Sequence, residues 1–117
     1  MSGSLNRASL IGNLGGDPEV RTLQNGKPVV TLSIATTESW KDDRSGERVE
    51  RTEWHKVVIF AEGLARVAEQ FLKKGAKVFV EGSIRTRKWQ DQSGADRYGT
   101  EIHLTSYTGT LTFLDRK

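Results

Sequence analysis

Three tryptophans each stand beside a lysine or arginine: Glu38-Ser39-Trp40-Lys41, Glu53-Trp54-His55-Lys56 and Arg87-Lys88-Trp89-Gln90. An indole at a surface is poorly satisfied by water unless something flat stacks on it, and adjacent cations favour a flat partner that carries negative charge. A nucleobase on a phosphate backbone meets both demands, and base–aromatic stacking contributes about 1–3 kcal/mol per base. A lone Trp reads more readily as a core residue with an amphipathic tip. Three in similarly basic settings, within 117 residues, read as a stacking surface.

Strand alternation sharpens this reading. Side chains alternate faces along a strand, so from Thr52 to Phe60 one face carries Trp54, Lys56, Val58 and Phe60. The other carries Glu53, His55, Val57 and Ile59, and reads as core or interface. In Arg85-Thr86-Arg87-Lys88-Trp89, Arg85, Arg87 and Trp89 share a face, with Lys88 at its margin. Solvation would explain the cations but would not favour Trp among them. Phosphate contacts and stacking explain the set together.

Other constellations carry less chemistry. Gly12-Asn13-Leu14-Gly15-Gly16 lacks the Gly-Lys-Ser/Thr ending of a phosphate loop and is followed by Asp17-Pro18, so it reads as a turn at a strand end. His55 and His103 are far apart in sequence and there is no cysteine, which excludes disulfides and thiolate zinc sites. Asp42, Asp43, Glu47, Glu50 and Glu53 fall among Lys and Arg, which does not support a two-metal nuclease. No nucleophile–base pair is visible, so no catalytic residue, cofactor or metal is expected.

The elements that must position these residues are mostly strands. Ser9 to Gly16 reads as a strand entering a glycine turn, and Asn25-Gly26 is a hairpin signal. Val30, Leu32 and Ile34 alternate with Thr31, Ser33 and Ala35 as a half-buried strand. Residues 41–56 hold five basic and five acidic side chains, and Lys41 to Arg51 is read as an exposed, locally neutral loop. Leu64, Val67, Ala68, Phe71 and Leu72 follow helical spacing and predict a core-facing stripe, with Lys73, Lys74 and Gly75 ending the helix. Lys77 to Trp89 and Tyr98 to Phe113 read as long strands joined by a turn at Gln92-Ser93-Gly94. Three strands, one helix and two strands predict an all-β chain with one helix: a five-stranded OB-fold Greek-key barrel, the helix between strands 3 and 4. The last two strands exceed what such a barrel needs, so a long hairpin of the fourth and fifth strands is expected to project from it.

Composition sets the outer bounds. The length suits one domain with one modest core, at 35% hydrophobic and 28% charged residues. The formal charge is +3, compatible with a polyanion partner without establishing one. Apolar runs such as Val57-Val58-Ile59-Phe60 are too short to span a bilayer, no signal-peptide core follows the N-terminus, and a cytosolic setting is the simplest.

Taken together, these blocks resemble the bacterial single-stranded DNA-binding proteins of the homotetrameric OB-fold family. The likeness runs through Gly12-Asn13-Leu14-Gly15, Asp17-Pro18-Glu19-Val20-Arg21, Ala35-Thr36-Thr37-Glu38-Ser39-Trp40 and Thr52-Glu53-Trp54-His55-Lys56-Val57-Val58. It continues through Phe71-Leu72-Lys73-Lys74-Gly75, Val80-Glu81-Gly82, Thr86-Arg87-Lys88-Trp89 and Asp96-Arg97-Tyr98. Proteins of this family are themselves among those that define the stacking range quoted above. The resemblance implies base stacking by Trp40, Trp54, Phe60 and Trp89, and phosphate contacts from Lys56, Arg85, Arg87 and Lys88. It implies a subunit interface at His55, Lys77 and Phe79, with Val57 and Ile59 expected to add apolar surface that a monomer leaves uncovered.

Residues 1–113 would form the OB domain for DNA binding and oligomerisation. Residues 114–117 would begin a C-terminal tail whose acidic tip, which recruits replication and repair proteins in the family, is expected to be absent or truncated here. Gly99 and Ser83-Ile84 depart from the family's commonest residues. The implied role is non-enzymatic, sequence-tolerant protection of single-stranded DNA in replication, repair and recombination, in the bacterial cytoplasm at the nucleoid. An OB-fold replication-restart accessory or RNA-binding protein is the alternative, and an enzyme the weakest option.

Overall fold

The alternating segments around Leu32 and Val57 become two paired strands, and the sheet is built outward from them. In the computed structural model, which describes residues 3–115, the strands are β1 (Ala8–Leu14), β2 (Glu19–Thr22), β3 (Pro28–Lys41), β4 (Arg48–Ile59), β5 (Lys77–Gln90), β6 (Asp96–Leu104) and β7 (Thr110–Phe113). The helix α1 (Glu62–Phe71) lies between β4 and β5. Strands β1, β3, β4, β6 and β5 are neighbours in that order, and β5 pairs back onto β1, closing a five-stranded barrel. The β4–β6 ladder is parallel and the other ladders of the closed ring are antiparallel. Closure removes the free edges that an open sheet of this size would present.

The barrel interior follows from strand parity. Val30, Leu32 and Ile34 of β3, Val57 and Ile59 of β4, Val78 and Val80 of β5, and Leu104 of β6 are fully enclosed. Truncating so enclosed a Leu or Ile to Ala typically costs about 2–5 kcal/mol, so these positions fix the wall on which the outward residues stand.

Several local expectations are corrected. The segment read as a loop at Lys41 to Arg51 is mostly ladder: β3 runs to Lys41, β4 begins at Arg48, and only residues 42–47 turn. This ribbon is held by polar cross-strand contacts such as Thr37 with Thr52 at 3.1 Å and Arg48 donating to Ser39 at 3.0 Å. Polar side chains on both faces erase the alternation that marks a strand. The strand read from Tyr98 to Phe113 is two strands: β6 ends at Leu104, a turn closes with Gly109 N–H donating to the Thr105 carbonyl at 2.8 Å, and β7 pairs with the far edge of β5. The added strand β2 pairs with β3 through an exposed polar segment.

The helix faces the core through Ala65 and Ala68, with Leu64 partly buried and Leu72 just past its end, whereas Val67 and Phe71 point outward. Small residues let α1 approach the barrel closely, and the Phe71 ring sits 6.3 Å from Phe113 at the rim. Helical geometry ends at Phe71, so Lys73 and Lys74 lie beyond it and Gly75, at φ +90°, belongs to the following turn. Finally, Val57 and Ile59 are enclosed in the chain's own barrel and are not available to a second subunit. Among the described residues no helix is long and apolar enough to cross a membrane.

Candidate nucleic-acid interface

Parity sends Trp54, Lys56 and the covered Val58 to the outer face of β4, with Phe60 just past its end, Arg85, Arg87 and Trp89 outward from β5, and Glu101 and His103 outward from β6. The parallel β4–β6 register sets Lys56 opposite Glu101, and the β5–β6 register sets Arg85 opposite Glu101. These strands therefore bring residues distant in sequence onto one outer wall.

Three adjoining depressions run along that wall and share Lys56. One of about 430 Å³ is bordered by Gly15, Gly16, Ser33, Trp54 and Lys56. The next, about 370 Å³, is bordered by Arg21, Thr31, Lys56, Phe60, Arg87 and Glu101. The third, about 250 Å³, is bordered by Lys56, Arg87, Trp89, Gly99 and Glu101. Together they form a furrow with an aromatic ring in each part and cations between.

The rings are seated rather than dangling. Trp54 is 60% exposed, yet its indole lies so close to Gly15 that a Cβ there would collide with the ring. Trp89 is 44% exposed and rests over Gly99, where a Cβ would fall 3.0 Å from the indole. Phe60 packs against His103 with ring centroids 4.9 Å apart. Each indole is thus held against a glycine, and a ring already placed costs less to order when a base stacks on it.

The electrostatics centre on Glu101, whose side chain is 9% exposed. Its Oε2 faces Lys56 Nζ at 3.3 Å and Arg87 Nη1 at 3.6 Å, and its Oε1 is hydrogen-bonded to His103 Nε2 at 2.9 Å. Burial by itself pushes the Glu101 carboxyl up. The hydrogen bonds of His103 and Lys56 and the Lys56 charge outweigh it, and the net displacement is below the usual carboxylate value.

The remaining expected residues lie elsewhere. Trp40 is opposite Val49 while Trp54 is opposite Ala35, so the two indoles stand on opposite faces of the β3–β4 ribbon. The guanidinium of Arg51 lies 5.8 Å from the Trp40 ring. Lys88 is on the face of β5 away from Arg87, paired with Asp96 at 3.4 Å and set 5.9 Å from the Tyr98 ring. His55 is half-buried on the core-side face and hydrogen-bonded to Thr36 at 2.9 Å. Lys77 is exposed at the start of β5, its backbone N–H donating to the Asp115 carboxylate at 3.2 Å. Phe79 is partly buried on the outer face of β5, opposite the 56%-exposed Ile11 of β1.

Sequence reasoning missed Arg21, Gly15, Glu101 and His103 as members of the furrow. The alternation Glu101-Ile102-His103 places both polar residues on one face, but only the β4–β6 pairing shows that this face is the one Lys56 occupies. Among the described residues no cluster of three or more His, Cys, Asp or Glu could hold a metal ion.

A closed five-stranded barrel with a helix between its third and fourth strands, carrying an open cationic and aromatic furrow on its outer wall, defines an OB-fold protein. The sequence pattern of the Single-strand binding protein family matches residues 5–110, and the chain belongs to that family. It is 58% identical over 115 residues to a Single-stranded DNA-binding protein of Rhizobium meliloti (strain 1021), covering 98% of this chain and 66% of that one. It is 55% identical over 117 residues to a protein of the same description from Rickettsia felis (strain ATCC VR-1525 / URRWXCal2), covering all of this chain and 77% of that one. A solved structure described as the Plasmodium falciparum SSB complex with ssDNA superposes with a TM-score of 0.88 at 37% identity, covering 98% of this chain and 99% of that one.

Proposed function

We propose that this chain binds single-stranded DNA without reading its sequence, and that it does so without catalysis. The observation that carries the reading is the furrow: Trp54, Phe60 and Trp89 are open to solvent along a wall whose cations are Lys56, Arg87 and Arg21. Rings accept any base on a π-face, and cations accept any phosphate, so neither element selects a base edge. Arg85 extends the same face, and Trp40 and Lys88 would engage only a strand that passes around the hairpins. Family membership and the likeness to an ssDNA complex support the same reading, and with it a role in replication, repair and recombination in the bacterial cytoplasm, at the nucleoid.

The chain acts as a homotetramer in this reading. The exposed Ile11 and its cross-strand neighbour Phe79 provide an apolar outer patch that supports it, and His55 is proposed as a further interface residue. Of residues 114–117, read as the start of a tail, residues 116 and 117 lie outside the described ones. Tryptophan-fluorescence titration with poly(dT) and with poly(U), each at two salt concentrations, tests the function. Quenching by poly(dT), with affinity that falls as salt rises, is expected. Salt-independent binding, or a strong preference for poly(U), would replace it with the RNA-binding alternative or another chemistry.

A further inference from the structure

We propose that Glu101 is the positioning residue of the furrow: its carboxylate holds Lys56 and Arg87 at one phosphate subsite and links them through His103 to Phe60. The inference rests on the single-stranded DNA reading and adds to it a residue of the wrong charge for a phosphate contact.

A carboxylate facing a polyanion should repel it, and the simplest expectation is that such a residue weakens binding. The geometry argues the reverse. Glu101 is largely enclosed while Lys56 and Arg87 remain 43% and 50% exposed at their side chains, so the carboxylate sits beneath the cations rather than beside the ligand. One oxygen serves both cations, so part of their charge stays available to phosphate. The ammonium and the guanidinium keep donors free after that contact, because Lys has three and Arg five. Both side chains are long, and ordering each on binding costs affinity that an existing contact removes in advance. The other oxygen holds His103, whose ring lies against Phe60. One buried group therefore sets the stance of two cations and one stacking ring, drawn from β4, β5 and the residue after β4.

The test is Glu101→Gln, isosteric but uncharged, titrated with poly(dT) over a range of salt. Removing a negative charge would tighten binding if repulsion were its only effect. Positioning predicts the opposite sign: affinity falls about five- to tenfold, near the lower end of what ordering two long side chains costs. The log–log salt slope should also become shallower by up to about 1.4, the share of two phosphate contacts. In a Lys56→Met, Arg87→Met background the same substitution should weaken binding much less than in the wild type, because only the share acting through His103 and Phe60 is left. Glu101→Asp keeps the charge but retracts it by one methylene, and should weaken binding in the same direction while circular dichroism stays unchanged. Binding by a folded Glu101→Gln variant that is as tight as wild type or tighter, with an unchanged slope, overturns the proposal. If the Gln variant fails to fold, a folded Asp variant with wild-type affinity and slope overturns it equally. Failure of the wild-type protein to bind poly(dT) would instead remove the single-strand reading on which the inference stands.

Discussion

The two long hairpins share one tip design and differ in almost everything else. In β3–β4, Asp42 accepts from the Ser45 hydroxyl at 2.8 Å, and Gly46 takes φ +72°. In β5–β6, Asp91 accepts from the Ser93 hydroxyl at 2.6 Å, and Gly94 takes φ +85°. Both turns need a residue that tolerates positive φ and a short acceptor that folds back on the backbone. Behind the tips the charges diverge. Residues 36–53 hold four basic and six acidic side chains, whereas residues 84–100 hold four basic and two acidic. The β5–β6 arm also turns Arg87 and Trp89 toward Lys56, while the β3–β4 arm turns Trp40 away from Trp54. The lesson is that ribbon geometry and ligand preference are set separately: the tip fixes the turn, and the charge and parity of the stem fix which arm leads a polyanion.

The largest expected effect tests that asymmetry directly. Trp89→Ala, like Trp54→Ala, should weaken poly(dT) binding by about 1–3 kcal/mol, and Trp40→Ala by no more than the lower end of that range. Circular dichroism should be unchanged in all three, since each indole is exposed. Equal losses for Trp40 and Trp89 would break the comparison and mean that the strand wraps both faces of the β3–β4 ribbon.

Next in size is an effect on assembly. His55 stands at the root of β3–β4, hydrogen-bonded to Thr36, and is the residue of that arm proposed for subunit contact. His55→Lys should shift the sedimenting species from tetramer toward smaller forms and weaken DNA binding as a consequence. Both defects should shrink as protein concentration rises, because mass action restores the oligomer. A wild-type protein that sediments as a monomer at micromolar concentration would remove the assembly assignment. An unaltered tetramer for His55→Lys would remove only the placement of His55.

How much of this was legible in the sequence depended on the wetness of each strand. Where one face is core, as in residues 30–35 and 52–60, alternation announces both the strand and its outward residues, and it groups Trp54, Lys56 and Phe60. Where both faces are wet, as from Glu38 to Arg51, no alternation exists and a paired ribbon read as a loop. Helical spacing found α1 and placed Leu64, Ala68 and Leu72 toward the core, but it took the exposed Val67 and Phe71 for core and missed Ala65, because the close packing uses alanines in place of larger residues nearby. Gly15 was legible as a turn residue but not as a neighbour of the Trp54 ring, since that contact depends on how β1 ends beside β3 and β4. Glu101 was invisible for a similar reason: its partners come from a parallel pairing across 45 residues of chain, beyond the reach of local patterns.

A smaller effect separates the cations within the β5–β6 arm. Arg87 lines the furrow, and Lys88 faces the other way toward Asp96 and Tyr98. Arg87→Ala should make the log–log salt slope shallower by about 0.7, the value of one single-strand phosphate contact. Lys88→Ala should leave the slope within error. The reverse ranking would place the DNA on the Tyr98 face of the hairpin.

The smallest expected effect lies at the shared tips and appears only in acid. Hydrogen bonds from Ser93 and then Arg97 hold Asp91 down to about 2 from the ordinary 3.8, and the Ser45 hydroxyl followed by backbone N–H groups lowers Asp42 as well. A folded-state pKa below the unfolded one means that the native state prefers the ionised carboxylate. The stabilisation is therefore fully present above the unfolded value of 3.8 and is lost as pH falls through the folded value. For Asp91 that window runs from 3.8 down to about 2, so both tips should be intact at neutral pH. Because the turns are at the ends of the arms, their loosening should be local. Carboxyl and amide NMR titration should show Asp91 protonating near 2, with the Ser93 and Ala95 amides shifting in step and core signals such as Leu32 unmoved. Asp91→Asn should abolish that step while leaving the Asp42 tip's own titration in place. An Asp91 midpoint near 3.8 would mean that the Ser93 and Arg97 contacts do not persist in solution, and the two tips would no longer share one design.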